Sequence, residues 1–159
     1  QREKLVELAL KAQCDRILFI DSDMRFPKDS FDLLDAHNKP FVAANYTTRR
    51  EPIYAVASAA SKGPWKPVNS TPNKTGLEAV SAVGLGLALI KADVFKKLPK
   101  PWFMIGYHPD IAQYYGEDVW FCRLAQAHGI EILVDHDLGK EVKHVGTYEY
   151  SFSDLENGD

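Results

Sequence analysis

The chain has 159 residues, 45% apolar and 26% charged, which suits one soluble globular domain with its own core. A net charge of −3 argues against a nucleic-acid surface, which needs clustered Lys and Arg, and no run nears the roughly 18 apolar residues of a membrane span. The opening Gln1-Arg2-Glu3-Lys4 leads straight into a helical pattern without a secretory apolar stretch, so a cytoplasmic location is expected.

Leu5, Leu8, Ala9 and Ala12 recur at helical spacing and predict an amphipathic helix over 3–13. The run Ile17-Leu18-Phe19-Ile20 then predicts a strand buried on both faces, ending at Asp21. Pro27 to Ser30 opens a second helix, with Asp29 or Ser30 as its cap and Phe31, Leu33 and Leu34 as its apolar residues. Phe41 to Ala44 is a second strand, and the alternation of helix and strand indicates an α/β layer architecture. Tyr54 to Ala60 is compatible with a strand, whereas 61–76 is rich in Pro, Gly, Ser, Asn and Lys and reads as a loop.

Leu77–Val83 and Leu85–Ile90 are extended segments parted by Gly84, and a short helix spans about 92–98. Pro99 and Pro101 end that helix and begin an aromatic loop to Tyr115. The clearest late helix is 117–128, with Phe121, Leu124 and Ala125 on one face and Gly129 as its stop. Ile130–Val134 and Val142–Val145 complete the strands, so residues 1–150 form one domain with a polar tail at 151–159. Cys14 and Cys122, each flanked by helical apolar positions, are expected to be buried free thiols. Three glycosylation sequons, beginning at Asn45, Asn69 and Asn73, are expected to be chance matches.

Asp21-Ser22-Asp23 directly follows a strand, where ligands of open α/β sheets gather. Two carboxylates one residue apart suit a hard cation such as Mg²⁺ or Mn²⁺, but the same residues also build ordinary turns. Both readings stand on this segment alone. Glu117 and Asp118 likewise suit either a favourable first helical turn or a catalytic carboxylate pair. Trp102, Phe103, Tyr107, Tyr114 and Tyr115 divide between sugar stacking and core packing. Arg49 and Arg50 are either a solvated pair or a contact for phosphate or an anionic acceptor. His37, His108, His128 and His136 read as structural.

The segment Ile17 to Pro27 resembles the strand-plus-DXD element of GT-A glycosyltransferases, especially the family 2-like branch. Val83 to Ile90, followed by Asp93-Val94-Phe95, resembles that family's glycine-containing strand beneath the donor sugar. Pro101-Trp102-Phe103 resembles the start of its acceptor-side loop, and Gly116 to Cys122 its catalytic helix start. Lys143-His144-Val145-Gly146 resembles its His-x-Gly element. The collinear set covers roughly 1–148.

The resemblance implies a GT-A mixed sheet flanked by helices, and transfer of a sugar from a UDP- or GDP-linked donor to a hydroxyl acceptor with Mn²⁺ or Mg²⁺. Asp23 would be a direct metal ligand, Asp21 a more distant metal or ribose contact, and His144 a third metal ligand. Gly84 and Gly86 would underlie the donor sugar, and Trp102 and Phe103 would face the acceptor. In an inverting enzyme Asp118 would be the base, with Glu117 orienting the acceptor.

The family places several nucleotide-binding strands before its DXD, yet only 20 residues precede Asp21. An N-terminally truncated domain is therefore expected, with an exposed sheet edge open to pairing with a second copy. Two rivals remain. A haloacid-dehalogenase-like phosphotransferase also carries Asp-x-Asp after a buried strand, but Phe26 departs from its pattern and His144 is left unexplained. A carbohydrate-binding module that kept the fold without catalysis is the other.

Overall fold

The structure is a computed structural model that describes residues 1–49, 52–60, 63–146 and 149–151, so Arg50 and residues 152–159 of the tail lie outside it. Helix α1 (Arg2–Lys11) forms where its sequence predicts, but with a different buried stripe. Val6 is buried and Leu10 packs against the core, one turn apart, while Leu5 and Leu8 stand 57% and 53% exposed. Gln13 ends the helix in the left-handed region.

Strand β1 (Arg16–Ile20) pairs antiparallel with β5 (Leu87–Lys91) and lies at a sheet edge. Only Phe19 of β1 is buried and Ile20 is 48% exposed, which corrects the expectation of burial on both faces. The sheet runs β1-β5-β3-β8-β4, where β3 is Phe41–Ala44, β4 is Leu77–Val80 and β8 is Ile132–Asp135. Only β3 and β8 are parallel neighbours; the other pairings are antiparallel. The continuous apolar signature belongs properly to β5, whose Leu87–Ile90 segment is wholly buried between two partners.

Two apolar layers sandwich the sheet. On one face Phe41, Phe95 and Phe121 pack with Trp102, drawing in α3 (Ala92–Lys97) and α4 (Glu117–Ala127). On the other, Leu34 of α2 (Ser30–Ala36) meets Val42, Leu87, Leu89 and Leu133. The predicted α/β layering is therefore present as a mixed α/β fold. No helix among the described residues is long and apolar enough to cross a membrane.

The middle of the chain departs from its expected strands. Tyr54–Ala60 makes only isolated bridges, Thr47 to Ala55 and Ser58 to Pro67 and Ala82, although Ala55 and Ala57 are buried. Cys14 is exposed and Cys122 buried, both free; burial pushes the Cys122 thiol up to about 12. Asn45 is fully buried and donates to Val68 O and Ser70 Oγ, so the folded chain offers no acceptor amide at that sequon.

Candidate functional site

β1 runs parallel to β3, because both are antiparallel to β5, and β3 is parallel to β8. The C-terminal ends of these three strands thus share one rim, carrying Asp21, Asn45 and Asp135. After β1 the chain turns through a Met24 N–H to Asp21 carbonyl bond into β2 (Met24–Arg25). β2 pairs with β9 (Lys143–Val145), and Val145 N–H donates to the Asp23 carbonyl at 2.7 Å. This register sets Met24 opposite His144 and so places the imidazole beside the Asp23 side chain.

His144 Nε2 lies 3.2 Å from Asp23 Oδ2, and its Nδ1 lies 3.1 Å from the Thr47 carbonyl. A carbonyl can only accept, so Nδ1 carries a proton, while Nε2 is free to meet the carboxylate either as an N–H donor or as a lone pair. Either form leaves the Asp23 carboxylate able to accept further positive charge. Arg49 supplies some of it, its Nη1 lying 3.0 Å from the same Asp23 oxygen. A metal-binding imidazole commonly donates its other N–H to a backbone carbonyl, which is the arrangement at His144.

Asp21 belongs to a second cluster. Arg2, on the first turn of α1, reaches Asp21 at 2.7 Å and Glu117 Oε1 at 2.9 Å, and also pairs with Asp118 Oδ1. Three carboxylates thus share one guanidinium. Asp118 Oδ2 accepts the Leu85 N–H at 3.1 Å, fixing the carboxyl against the backbone before β5. Burial pushes the Asp118 carboxyl above its ordinary range, and Arg2 and the Leu85 N–H offset this only in part. Burial also opposes the charge on Arg2, but Asp118, Asp21 and Glu117 override it and raise its pKa.

Tyr46 joins the two clusters. Its hydroxyl accepts the Gly86 N–H at 3.0 Å, and its ring meets His144 edge-on at 5.4 Å between centroids. A Cβ on Gly84 or Gly86 would sit 2.5 Å from that hydroxyl, so both positions need glycine to let Tyr46 lie across the backbone. The expectation that both glycines underlie a sugar is modified accordingly. Gly84 lines the cavity, whereas Tyr46 and Met24 cover Gly86.

These groups border a cavity of about 960 Å³ lined by Arg2, Asp21, Arg49, Glu117, Asp118 and His144, among others. Asp23 meets it through His144 and Arg49. Among the described residues, no group of three His, Cys, Asp or Glu side chains is arranged to hold a metal. Asp23 and His144 come together, whereas Asp21 is turned to Arg2.

Trp102 and Phe103 correct the sequence expectation. Trp102 is 4% exposed, donates from its indole to the Leu98 carbonyl and meets Phe95 edge-on. Phe103 stacks on Phe121 with centroids 5.1 Å apart. Both serve the core, and neither lines the cavity. The aromatic residues that do line it include Tyr54, Trp65, Tyr114 and Tyr115.

Arg2, Tyr46 and Trp65 escape sequence reasoning. For Arg2 a faint signal exists, because a cation in the first turn opposes the helix dipole and so requires another reason to be there.

No family model matches the chain, and no curated protein matches it. Among solved structures, the crystal structure of A197 from STIV is similar, with a TM-score of 0.62 at 19% identity. The match covers 91% of this chain and 65% of that one, so the present sequence spans just under two thirds of that protein's length. At this identity the likeness is one of fold alone.

Proposed function

We propose that the protein is a GT-A-like glycosyltransferase that moves a sugar from a nucleotide-diphosphate donor to a hydroxyl acceptor. The observation that carries this reading is the convergence of three distant segments around one cavity: Asp21 to Asp23, Glu117-Asp118 and His144.

In the inverting form, an acceptor oxygen bonds to the anomeric carbon as the bond from that carbon to the diphosphate breaks. The acceptor proton passes to Asp118, and the bonding electrons leave on the diphosphate. Asp118 suits this work because burial raises its proton affinity, while the Leu85 N–H holds its orientation. Glu117, on the same helical turn and paired with Arg2, would orient the acceptor hydroxyl. Arg2 and Arg49 offer positive charge to the departing diphosphate, already held beside the acids by their ion pairs.

The donor set fits a divalent cation that arrives with its substrate. Mg²⁺ is usually held by one or two carboxylates together with substrate phosphates, and here Asp23 and His144 would be the protein's share. When bound, Mn²⁺ or Mg²⁺ would stabilise negative charge on the leaving diphosphate.

The phosphotransferase alternative has less support. It needs a buried strand before a free nucleophilic carboxylate, whereas β1 is an edge strand and Asp21 is engaged by Arg2. Calorimetry with UDP and GDP, with and without MnCl₂, tests the proposal on the wild type and Asp23→Ala. Metal-dependent nucleotide binding that the substitution abolishes is expected. Equal binding by both proteins, or none by either, would overturn it.

A further inference from the structure

The cavity extends beyond its acidic end. Its volume of about 960 Å³ lies at the top of the roughly 300–1,000 Å³ range of small-molecule sites. Beyond Asp118 its wall continues through Gly116 into Tyr115 and Tyr114, on strand β7 (Gln113–Tyr115) of a hairpin with β6 (Gly106–His108). Gly63 N–H donates to His108 Nε2 at 3.4 Å, joining the Trp65 loop to that hairpin.

The rings on this wall are held in place. Trp65 donates from its indole to the Ala55 carbonyl at 3.1 Å, yet stays 39% exposed. Tyr114 leans on Tyr107 with centroids 5.0 Å apart and is 78% exposed. Tyr115 lies under the Arg123 guanidinium, 4.2 Å from its ring centre. A Cβ on Gly106 would sit 2.1 Å from the Tyr115 ring, so glycine there makes room for it. Anchored aromatic rings that still reach solvent have unused apolar faces.

Resting on the transferase reading above, we infer that this aromatic wall is the acceptor subsite and that the acceptor is a saccharide. A pyranose has an apolar C–H face and a rim of hydroxyls. The cavity answers both, because Trp65 and Tyr114 line it together with polar Gln113, Ser81 and Arg123. A prenyl chain would instead need a continuous aliphatic groove, which charged Arg2, Arg49 and Arg123 interrupt. The chain order also fits, because only Gly116 and Glu117 separate Tyr115 from Asp118. A sugar resting on these rings therefore brings its hydroxyls toward the base.

The test uses saturation-transfer NMR with methyl β-D-glucoside, methyl β-D-galactoside, methyl α-D-mannoside, cellobiose and farnesyl phosphate. At least one saccharide should bind, with affinity reduced about fivefold by Tyr114→Ala and by Trp65→Leu, the scale of one lost aromatic contact. Tyr114 is exposed enough for its variant to fold, and circular dichroism checks both variants. Asp93→Ala, on α3 and outside the cavity lining, should leave saccharide binding unchanged.

No saccharide signal, a signal indifferent to both substitutions, or binding of farnesyl phosphate alone would overturn the inference. Calorimetry with UDP, GDP and MnCl₂ on the same samples separates this subsite from the transferase reading. Nucleotide binding without saccharide binding sinks the subsite alone. Saccharide binding without nucleotide binding sustains the aromatic subsite and removes the transferase.

Discussion

His136 and His144 both lie near the C-terminal rim of the sheet, each beside a carboxylate, yet their surroundings differ in kind. His136 is buried, with Nδ1 at 2.8 Å from Ser70 Oγ and Nε2 at 2.9 Å from Glu78. Most of its neighbours are also served: Ser70 accepts from Asn45, whose own Oδ1 is buried without a partner, and Asp135 caps Leu138 N–H and meets His37. Lys74 holds the Glu78 carboxyl below its usual range, with help from His136. The cluster ties β4, β8 and the loop at Ser70 together, and its residues do not line the cavity that His144 borders.

His144 and its neighbours are incompletely matched. Three acids share Arg2, and one Asp23 oxygen is shared between Arg49 and the His144 Nε2. This unsettled charge borders the cavity. A polar cluster that satisfies itself holds a fold together, while one left short of positive charge is prepared for a ligand.

Substitutions that separate the two clusters sharpen this contrast. The largest effect is expected at Asp118→Asn, which should lower sugar transfer by about 10²–10⁴-fold while leaving the fold intact. Nucleotide release from UDP- and GDP-sugars with Mn²⁺ reads it, and a loss below tenfold would deny Asp118 the role of base. His136→Ala should cost about 3 kcal/mol, from a small cavity plus stranded Ser70 and Glu78 partners. Urea denaturation measures that cost. His144→Ala should do the reverse, with less than about 1 kcal/mol lost but metal-dependent nucleotide affinity down at least about tenfold. Equal stability losses for the two histidine variants would erase the distinction.

Gly106→Ala comes next, at about 2 kcal/mol, because its Cβ must displace the Tyr115 ring. Thermal melting gives that figure, and an unchanged melting temperature would mean that Tyr115 is not seated there. The smallest effect concerns pH. The folded pKa of Asp118 is raised, so its contribution to stability is full below the ordinary carboxylate range and is lost as pH rises through the folded value. Asp118→Asn should therefore melt slightly above the wild type at neutral pH, with the gap closing on acidification. A gap that widens toward low pH would reverse the sign of this assignment.

The parts of the site legible in the sequence were those whose chemistry is local. Asp21 to Asp23 and Glu117-Asp118 each sit at the end of one element, and His144 follows a short motif. Arg2 acts across 116 residues to Asp118, and nothing near it in sequence marks that partner. The sequence places Trp102 and Phe103 at the acceptor because an aromatic pair after prolines looks the same whether it stacks on a sugar or on Phe95 and Phe121. The sequence pattern also mistook β1 for a doubly buried strand. An apolar run reports affinity for a sheet, not how many neighbours cover it. Layering was recoverable from periodicity, whereas the β1-β5-β3-β8-β4 order depends on long-range pairing that periodicity does not encode.

The most direct test of the proposed cation-dependent diphosphate site is the NMR signal of the two histidine rings during a Mn²⁺ titration with UDP or GDP present. The His144 ring signals should broaden at far lower Mn²⁺ than those of His136, and Asp23→Ala should abolish that difference. Equal broadening of the two rings, or a His144 signal indifferent to both Mn²⁺ and nucleotide, would contradict the account.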